Sequence, residues 1–323
     1  MGRPQLSVVV PFLNEEEALP LLRQRLTALP GLPPRWELVF VSDGSTDNSV
    51  PLVEQWAAED PRVKLIVFTR NFGHQPAVCA GLAFATGEYV AVMDADLQDP
   101  PEEMLEMYAR ARAENLDIVY SVREHRHASH WKRAAYRVFY RLYSYLAESP
   151  VNMDSGDFSV LSRRAVDALL ALPERVRFVR GLRSWLGLRS RAVPTMRPAR
   201  AAGRPQYSFV KLVHLATHGI TSSSTKPLRL ATLIGLGLCV VACLLGMLYL
   251  GLWAFWGMHE RLPGFTTIVV LILFLNGIQF LLIGVLGEYI GQIFMEVKQR
   301  PVYLVDRTVN VTGDRQGLPS QAE

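Results

Sequence analysis

The sequence predicts an α/β domain that carries a two-helix membrane hairpin near its C-terminus, and three observations predict it. Strand-like apolar runs alternate with helix-like stretches through the first third. Carboxylate-bearing turns follow those runs, and two long stretches late in the chain hold no charged residue. The runs Leu6–Val10, Glu37–Val41, Val63–Phe68 and Tyr89–Met93 are rich in Val, Ile, Leu and Phe, as strands covered on both faces require. Helix-like stretches follow at residues 15–30, 47–58, 75–85 and 101–114. Such alternation predicts a parallel sheet with helices packed on it.

Ligands on sheets of this kind bind at the carboxyl ends of the strands. Those ends carry Pro11-Phe-Leu-Asn-Glu15, Ser42-Asp-Gly-Ser-Thr-Asp47, Arg70-Asn-Phe-Gly73 and Asp94-Ala-Asp-Leu-Gln-Asp99, so the polar segments gather on one rim. Asp94 and Asp96 stand two apart, and along an extended chain they point the same way. They can then share one hard divalent cation and the diphosphate it carries. An isolated Asp-x-Asp is common in solvated turns; its place after an apolar run gives this one weight. Ser45, Thr46 and Asp47 serve equally well as caps for the helix that follows.

The net charge of +4 hides a polarised chain. Residues 1–120 hold 9 Lys/Arg against 18 Asp/Glu, a net of −9, whereas residues 121–211 hold 18 against 6, a net of +12. A basic middle beside apolar spans points to acidic lipid or a phosphorylated substrate rather than nucleic acid. Cys79, Cys239 and Cys243 form neither a disulfide framework nor a zinc spacing. The N-terminus enters the first strand without a signal-peptide core, so the first domain is expected in the cytosol.

Residues 131–146 and 207–220 read as amphipathic helices, the first with Arg133, Arg137 and Arg141 opposite an apolar side. Both suit the membrane interface, and both equally describe core helices with a solvated face. No charge occurs from Leu230 to Trp256 or from Leu262 to Gly287, and each run exceeds the ~20 residues of a spanning helix. A short linker makes the pair an antiparallel hairpin. Lys226, Arg229, Lys298, Arg300 and Arg307 outnumber Arg261 of the linker, which places both ends of the hairpin in the cytoplasm. The tail past Asp306 reads as a short strand or coil followed by disorder. His125, His127 and His130 invite a zinc reading, but Arg123 and Arg126 crowd them with positive charge and no Cys stands nearby. Trp185 and Tyr140 are expected to pack.

These segments, with Asp94-Ala-Asp-Leu-Gln-Asp-Pro-Pro101, Gly156-Asp-Phe158, Arg177-Phe-Val-Arg-Gly181 and Gly287-Glu-Tyr-Ile-Gly291, carry a resemblance. Over residues 5–305 the chain resembles the family 2 inverting glycosyltransferases that act on polyprenyl phosphate. It is similar above all to the bactoprenol glucosyltransferases, and more distantly to the aminoarabinose and dolichol-phosphate mannose transferases. The resemblance implies a GT-A nucleotide-sugar-binding half over residues 1–120 and an acceptor-binding half with interfacial helices over 121–227. The hairpin occupies 228–290, with helices at 228–256 and 263–287, and a cytoplasmic tail 291–323.

The implied activity is metal-dependent transfer of a hexose, expected as glucose from UDP-glucose, to undecaprenyl phosphate at the inner leaflet of a bacterial cytoplasmic membrane, with inversion. Pro11, Leu13, Glu15, Asp43, Arg70, Asp94, Ala95 and Asp96 would hold the donor. Asp94, Asp96 and Gln98 would hold Mg2+ or Mn2+. Arg123, Lys132, Arg177, Arg180, Arg200 and Lys211 would hold the acceptor phosphate. Asp96 and Asp157 are the implied catalytic residues; Asp157 acts as base or only orients the acceptor, with Asp154 as the alternative. A homo-oligomer formed through the hairpin fits the resemblance. Two departures stand out: Ser42 replaces the first of a frequent Asp pair, and Gln206 replaces a frequent Lys, for which Arg204 or Lys211 can substitute. The rival readings are a processive polysaccharide synthase, which needs more spans and a Gln-x-x-Arg-Trp segment, and a non-catalytic membrane scaffold.

Overall fold

A computed structural model describes residues 2–123, 155–174, 178–195, 224–256 and 264–311. The described residues fall into two compact units, one holding the sheet, its helices and residues 299–311, the other holding the two long C-terminal helices.

In the first unit the expected alternation is present: β1 (Leu6–Phe12), α1 (Ala18–Thr27), β2 (Trp36–Ser42), α2 (Ser49–Glu59), β3 (Val63–Phe68), α3 (His74–Phe84), β4 (Tyr89–Val92) and α4 (Pro101–Ala113). β5 (Ile118–Arg123), β6 (Ser155–Ser162), α5 (Arg163–Leu170), α6 (Val179–Trp185), β7 (Ser190–Thr195) and β8 (Val305–Val309) complete it. The eight strands lie in the order β7-β5-β6-β4-β1-β2-β3-β8.

The sheet is mixed, which corrects the expectation of a parallel one. β4, β1, β2 and β3 are mutually parallel, but β6 runs against both β4 and β5, and β8 runs against β3. Single-strand patterns carry no direction, so the two reversed strands left no mark in the sequence. The chain winds outward from β1 through β2 to β3 and then returns to place β4 on the other side of β1. That reversal of winding opens a crevice at the carboxyl ends of β1 and β4, where open α/β sheets take their ligands.

Alternate residues of each strand feed two apolar layers. Val8 and Val10 of β1 join Leu22, Phe40, Trp56 and Met104 on one face; Val9 joins Val39, Ile66, Val78 and Leu82 on the other. Each such buried side chain contributes about 1.5–3 kcal/mol, so the sheet is rigid where the rim loops leave it. The opposite end of the strands holds a buried pair: Lys64 Nζ lies 2.7 Å from Glu37, which also accepts hydrogen bonds from Ser7 Oγ and from the Thr86 amide and hydroxyl. Burial alone would push the Glu37 carboxyl up, but these donors hold it below its ordinary value. Its contribution to stability is therefore present above the unfolded value of 4.5 and fades as pH falls through the lower folded value. Lys64→Met strands that carboxylate and is expected to cost about 3–5 kcal/mol, read as a lowered denaturant midpoint.

The second unit consists of α7 (Lys226–Trp256) and α8 (Phe265–Val297). Within them Lys226–Leu248 and Leu271–Val297, with mean hydropathies of 2.5 and 1.9, are long and apolar enough to cross a membrane. Leu233, Leu236, Phe274, Phe280 and Leu281 lie exposed along them, which water would penalise and lipid would not. The Tyr289 hydroxyl donates to the Ser224 carbonyl oxygen at 2.5 Å. Residues 131–146 and 207–220, the two expected amphipathic helices, lie outside the described residues.

Candidate active site

Four loops at the rim are tied to one another by their own polar groups. Asn14, in the left-handed region at φ 56°, donates its amide N–H to Ser45 Oγ and accepts from the Thr46 amide through its side chain. The Glu15 amide bonds to Ser49 Oγ, and Glu16 accepts from both the backbone and the side-chain amide of Asn48. Asp47 accepts from the Ser49 amide, but the N-cap of α2 is Asn48, whose side chain makes no capping bond, so none of Ser45, Thr46 and Asp47 is the N-cap. Pro11 is buried beneath the rim, while Leu13 stands 41% exposed upon it.

Asp43 is buried, and its carboxylate accepts hydrogen bonds from the Phe72 and Gly73 amides at 2.7–3.1 Å. It thereby fastens the loop after β3 to the end of β2. Burial raises its pKa above the ordinary value despite those donors. Gly44 at φ +75° passes so close to Arg70 and Asn71 that a Cβ would lie 2.6 Å from their backbone, which only glycine avoids. The Arg70 guanidinium stacks over the Phe72 ring at 4.0 Å.

Beyond β4 the chain turns. Strand geometry ends at Val92, so Asp94 and Asp96 do not sit on an extended segment, a correction to the alternation expected of them. The Asp94 amide donates to the buried Asp99, the Gln98 amide donates to Asp96 Oδ1, and Leu97 adopts φ 60°. A tight turn, rather than the pleat, sets the relation between the two carboxylates. Ala95 is buried between them.

β6 brings Asp157 to this turn. Val92 pairs with Ser159 in the antiparallel β4–β6 register, which brings Asp157 beside the end of β4, and one imidazole lies within reach of both Asp157 and Asp94. The β5–β6 register slips between Tyr120 and Val122, and a bulge at this point re-aims a side chain. Asp157 is 6% exposed. Arg180 grips it with Nε and one terminal nitrogen, each at 2.8 Å, and Gln75 Nε2 donates at 3.1 Å. Gln75 also accepts from the Val179 amide, fixing the start of α6. Arg183, buried behind, donates to the Gly156 carbonyl and lies over the Tyr120 ring at 4.7 Å. Burial lowers its pKa to about 10, so it remains a cation at neutral pH.

His74, the first residue of α3, stands between the two acids, with Nε2 3.6 Å from Asp94 and 3.3 Å from Asp157. Burial works against its charged form, but Asp157 and then Asp94 outweigh that and raise its pKa. Burial likewise would raise the Asp157 pKa, yet Arg180 and His74 hold that carboxyl far below the ordinary range. A carboxylate so depressed is a weak proton acceptor and a firm anchor.

Of the sequence-derived site residues, the structure sets Pro11, Leu13, Glu15, Asp43, Arg70, Asp94, Ala95, Asp96, Gln98, Asp157 and Arg180 around this rim, with Arg180 on Asp157. Lys132, Arg177, Arg200, Lys211, Arg204, Gln206, Asp154 and His125, His127 and His130 lie outside the described residues, as does the side chain of Arg123. Trp185 is 61% exposed, against the expectation that it packs. His74, Gln75 and Arg183 were missed. The signal for the first two was their position: they follow Gly73 directly, at the mouth of the loop after β3.

Asp94, Asp96 and Gln98 offer oxygen donors alone, which suits Mg2+ or Mn2+ and not a soft metal. Among the described residues no cluster of three or more His, Cys, Asp or Glu forms a complete metal cage. Such an incomplete set fits a cation that also takes ligands from a bound diphosphate.

A mixed α/β sheet with an Asp-x-Asp turn at its switch point defines a GT-A nucleotide-sugar-binding fold. The chain belongs to glycosyl transferase family 2, whose model matches residues 7–170; residues 226–293 match the GtrB C-terminal hairpin. It is 39% identical over 313 residues to the uncharacterized glycosyltransferase YkcC of Bacillus subtilis, covering 96% of each chain. It is 39% identical over 306 residues to the SfII prophage-derived bactoprenol glucosyl transferase of Shigella flexneri, covering 94% of this chain and 98% of that one. An undecaprenyl-phosphate 4-deoxy-4-formamido-L-arabinose transferase of Proteus mirabilis is 34% identical over 313 residues, with 95% and 94% covered. Among solved structures, a mannosyltransferase of Pyrobaculum calidifontis in complex with GDP-Man and Mn2+ aligns at TM-score 0.47 and 19% identity, covering 68% of this chain and 63% of that one.

Proposed function

We propose that this chain transfers a hexosyl group, glucose from UDP-glucose, to undecaprenyl phosphate at the cytoplasmic face of the membrane, with inversion. The observation that carries the reading is the near full-length likeness to the Shigella flexneri bactoprenol glucosyl transferase, spanning the catalytic half and the hairpin alike.

Leu13, Pro11, Glu15 and Asp43 hold the nucleoside end of the donor, and Arg70, Asp94, Ala95 and Asp96 its diphosphate and sugar. Mg2+ or Mn2+ held by Asp94, Asp96 and Gln98 would neutralise charge on the departing diphosphate. The acceptor phosphate needs no general base, because with a second pKa near 6 it is already largely ionised at neutral pH. Its oxygen forms the new bond to the anomeric carbon as the bond to the diphosphate breaks on the opposite face, which inverts that centre. Asp157, anchored by Arg180 and Gln75, orients His74 and Arg180 along the crevice instead of taking a proton. Arg123, Lys132, Arg177, Arg200 and Lys211 supply the cationic side of the acceptor site. Both ends of the hairpin lie in the cytoplasm, from the excess of Lys and Arg outside its linker.

Purified protein supplied with labelled UDP-glucose and undecaprenyl phosphate is expected to move label into the lipid phase. EDTA should stop the reaction, and excess Mg2+ or Mn2+ should restore it. Transfer from another sugar nucleotide but not UDP-glucose would replace the donor assignment. Undiminished transfer in EDTA would remove the metal. Elongating products on one lipid would favour the processive reading.

A further inference from the structure

The segment that follows the second long helix returns to the catalytic sheet, at the loop that fastens Asp43. β8 adds to the β3 edge with Val309 opposite Leu65, Thr308 opposite Ile66 and Arg307 opposite Val67, and the register then slips so that Val305 faces Phe68. The ladder does not stop there: the Thr69 amide donates to the Leu304 carbonyl at 3.1 Å. Tyr303 then lies flat on Phe68, with ring centroids 5.0 Å apart and planes 11° apart. Phe68 in turn meets Phe72 edge-on at 5.7 Å. Phe72 and Gly73 are the residues whose amides bind the Asp43 carboxylate, and His74 follows them. The outer end of β8 is tied down separately, by Arg307 on Glu54 at 2.9 Å and by the Asn310 side chain on the Ala57 and Val63 carbonyls.

Simple protection of a sheet edge needs only the ladder. The aromatic column Tyr303–Phe68–Phe72 goes further, because it ends on the backbone of the rim loop. Ring contacts of this kind have defined geometry and so set where that backbone lies.

We infer that Tyr303 is a positioning residue for the sugar-nucleotide site, acting through Phe68 and Phe72 on the Arg70–Gly73 loop, so that the strap after the membrane hairpin tunes donor binding. The inference rests on the donor role proposed above for Asp43 and its loop.

The test uses the full chain in detergent or nanodiscs, with calorimetric binding of UDP-glucose in Mn2+ as one readout and turnover as the other. Displacement of a site loop by about 1 Å can cost up to a hundredfold; for Tyr303→Leu, which keeps bulk but loses the flat ring, a rise of about tenfold in the UDP-glucose Kd and KM is expected. The kcat at saturating donor should stay within about twofold of the parent, and Tyr303→Phe should restore the parent Kd. Asp43→Asn serves as the parallel variant. If Asp43→Asn weakens UDP-glucose binding and Tyr303→Leu does not, the inference about Tyr303 is overturned and the donor site stands. If neither changes binding, the donor-site reading itself fails. A Tyr303→Leu protein that lowers kcat and thermal midpoint together at unchanged Kd would reduce Tyr303 to a purely structural role. Should Tyr303→Leu not fold, Tyr303→Met, which also lacks a flat ring, is read against the same Kd criterion.

Discussion

Asp96→Ala is expected to lower turnover by about a thousandfold or more while leaving the folded protein intact. The reason lies in what the side chain touches. Its Oδ1 accepts a hydrogen bond from the Gln98 amide at 3.1 Å, and the residue is only half-buried in a turn at the end of β4. A hydrogen bond of this kind is worth on the order of 1 kcal/mol, and a half-exposed turn gives up little else when a side chain is shortened. In the role proposed for it, losing a ligand to the cation that would offset charge on a leaving diphosphate removes several kcal/mol of transition-state stabilisation, and about 1.4 kcal/mol is a tenfold change in rate. Turnover of Asp96→Ala within about tenfold of the parent, at an unchanged thermal midpoint, would move the metal away from this turn.

Arg180→Met should affect stability and chemistry together. Asp157 is buried and Arg180 is 32% exposed at its side chain, so removing the cation is expected to cost about 3 kcal/mol, the low end for breaking a buried pair. The pH dependence follows from the sign of the shift. In the parent, Asp157 is held below its ordinary value, so its stabilising effect is present above 3.8 and is lost only as pH falls through the lower folded value. Without Arg180 burial gains ground and this acid-linked loss shrinks, but the variant starts from a lower stability, so acid unfolding should begin at higher pH over a shallower slope. The same variant separates two roles for Asp157. A proton acceptor would become a better base once its pKa rose, and turnover would hold or increase; an anchor would lose its alignment, and turnover should fall by about a hundredfold or more. A pH–rate profile beside an acid-unfolding curve reads both effects.

Much of the catalytic rim was legible in the sequence because its signals are local. Val8-Val-Val10, Val39-Phe-Val41 and Leu65-Ile-Val67 are strands on composition alone, and the polar segments after them had to share one edge. Asp157 was singled out from resemblance, but its neighbourhood was not legible, since β6 reads Ser-Gly-Asp-Phe-Ser-Val-Leu-Ser, with too little β-branched content to announce a strand. Its reversed direction is a tertiary fact, and so is the contact of His74 with two acids far from it in sequence. β8, Val-Asp-Arg-Thr-Val, was ambiguous between strand and coil for a similar reason: it is a polar edge strand whose partner is some 240 residues earlier in the register Leu65–Val309. The Asp94–Asp96 relation was inferred from the wrong geometry, because hydrogen bonds to Asp99 and from Gln98 close a turn that period-two reasoning does not anticipate.

The pairing of β5 with β6 has a consequence for how such enzymes diversify. Val122 and Ser155 are cross-strand partners, so the chain departs from the sheet at Arg123 and comes back beside its own point of departure. Asp157 takes its place from the pairings of β6 with β4 and β5, which involve none of residues 124–154. Changes of length or content in that segment are therefore expected to leave the backbone position of Asp157 untouched. Sequence there can drift while the buried carboxylate and the Arg180 guanidinium that grips it stay in place.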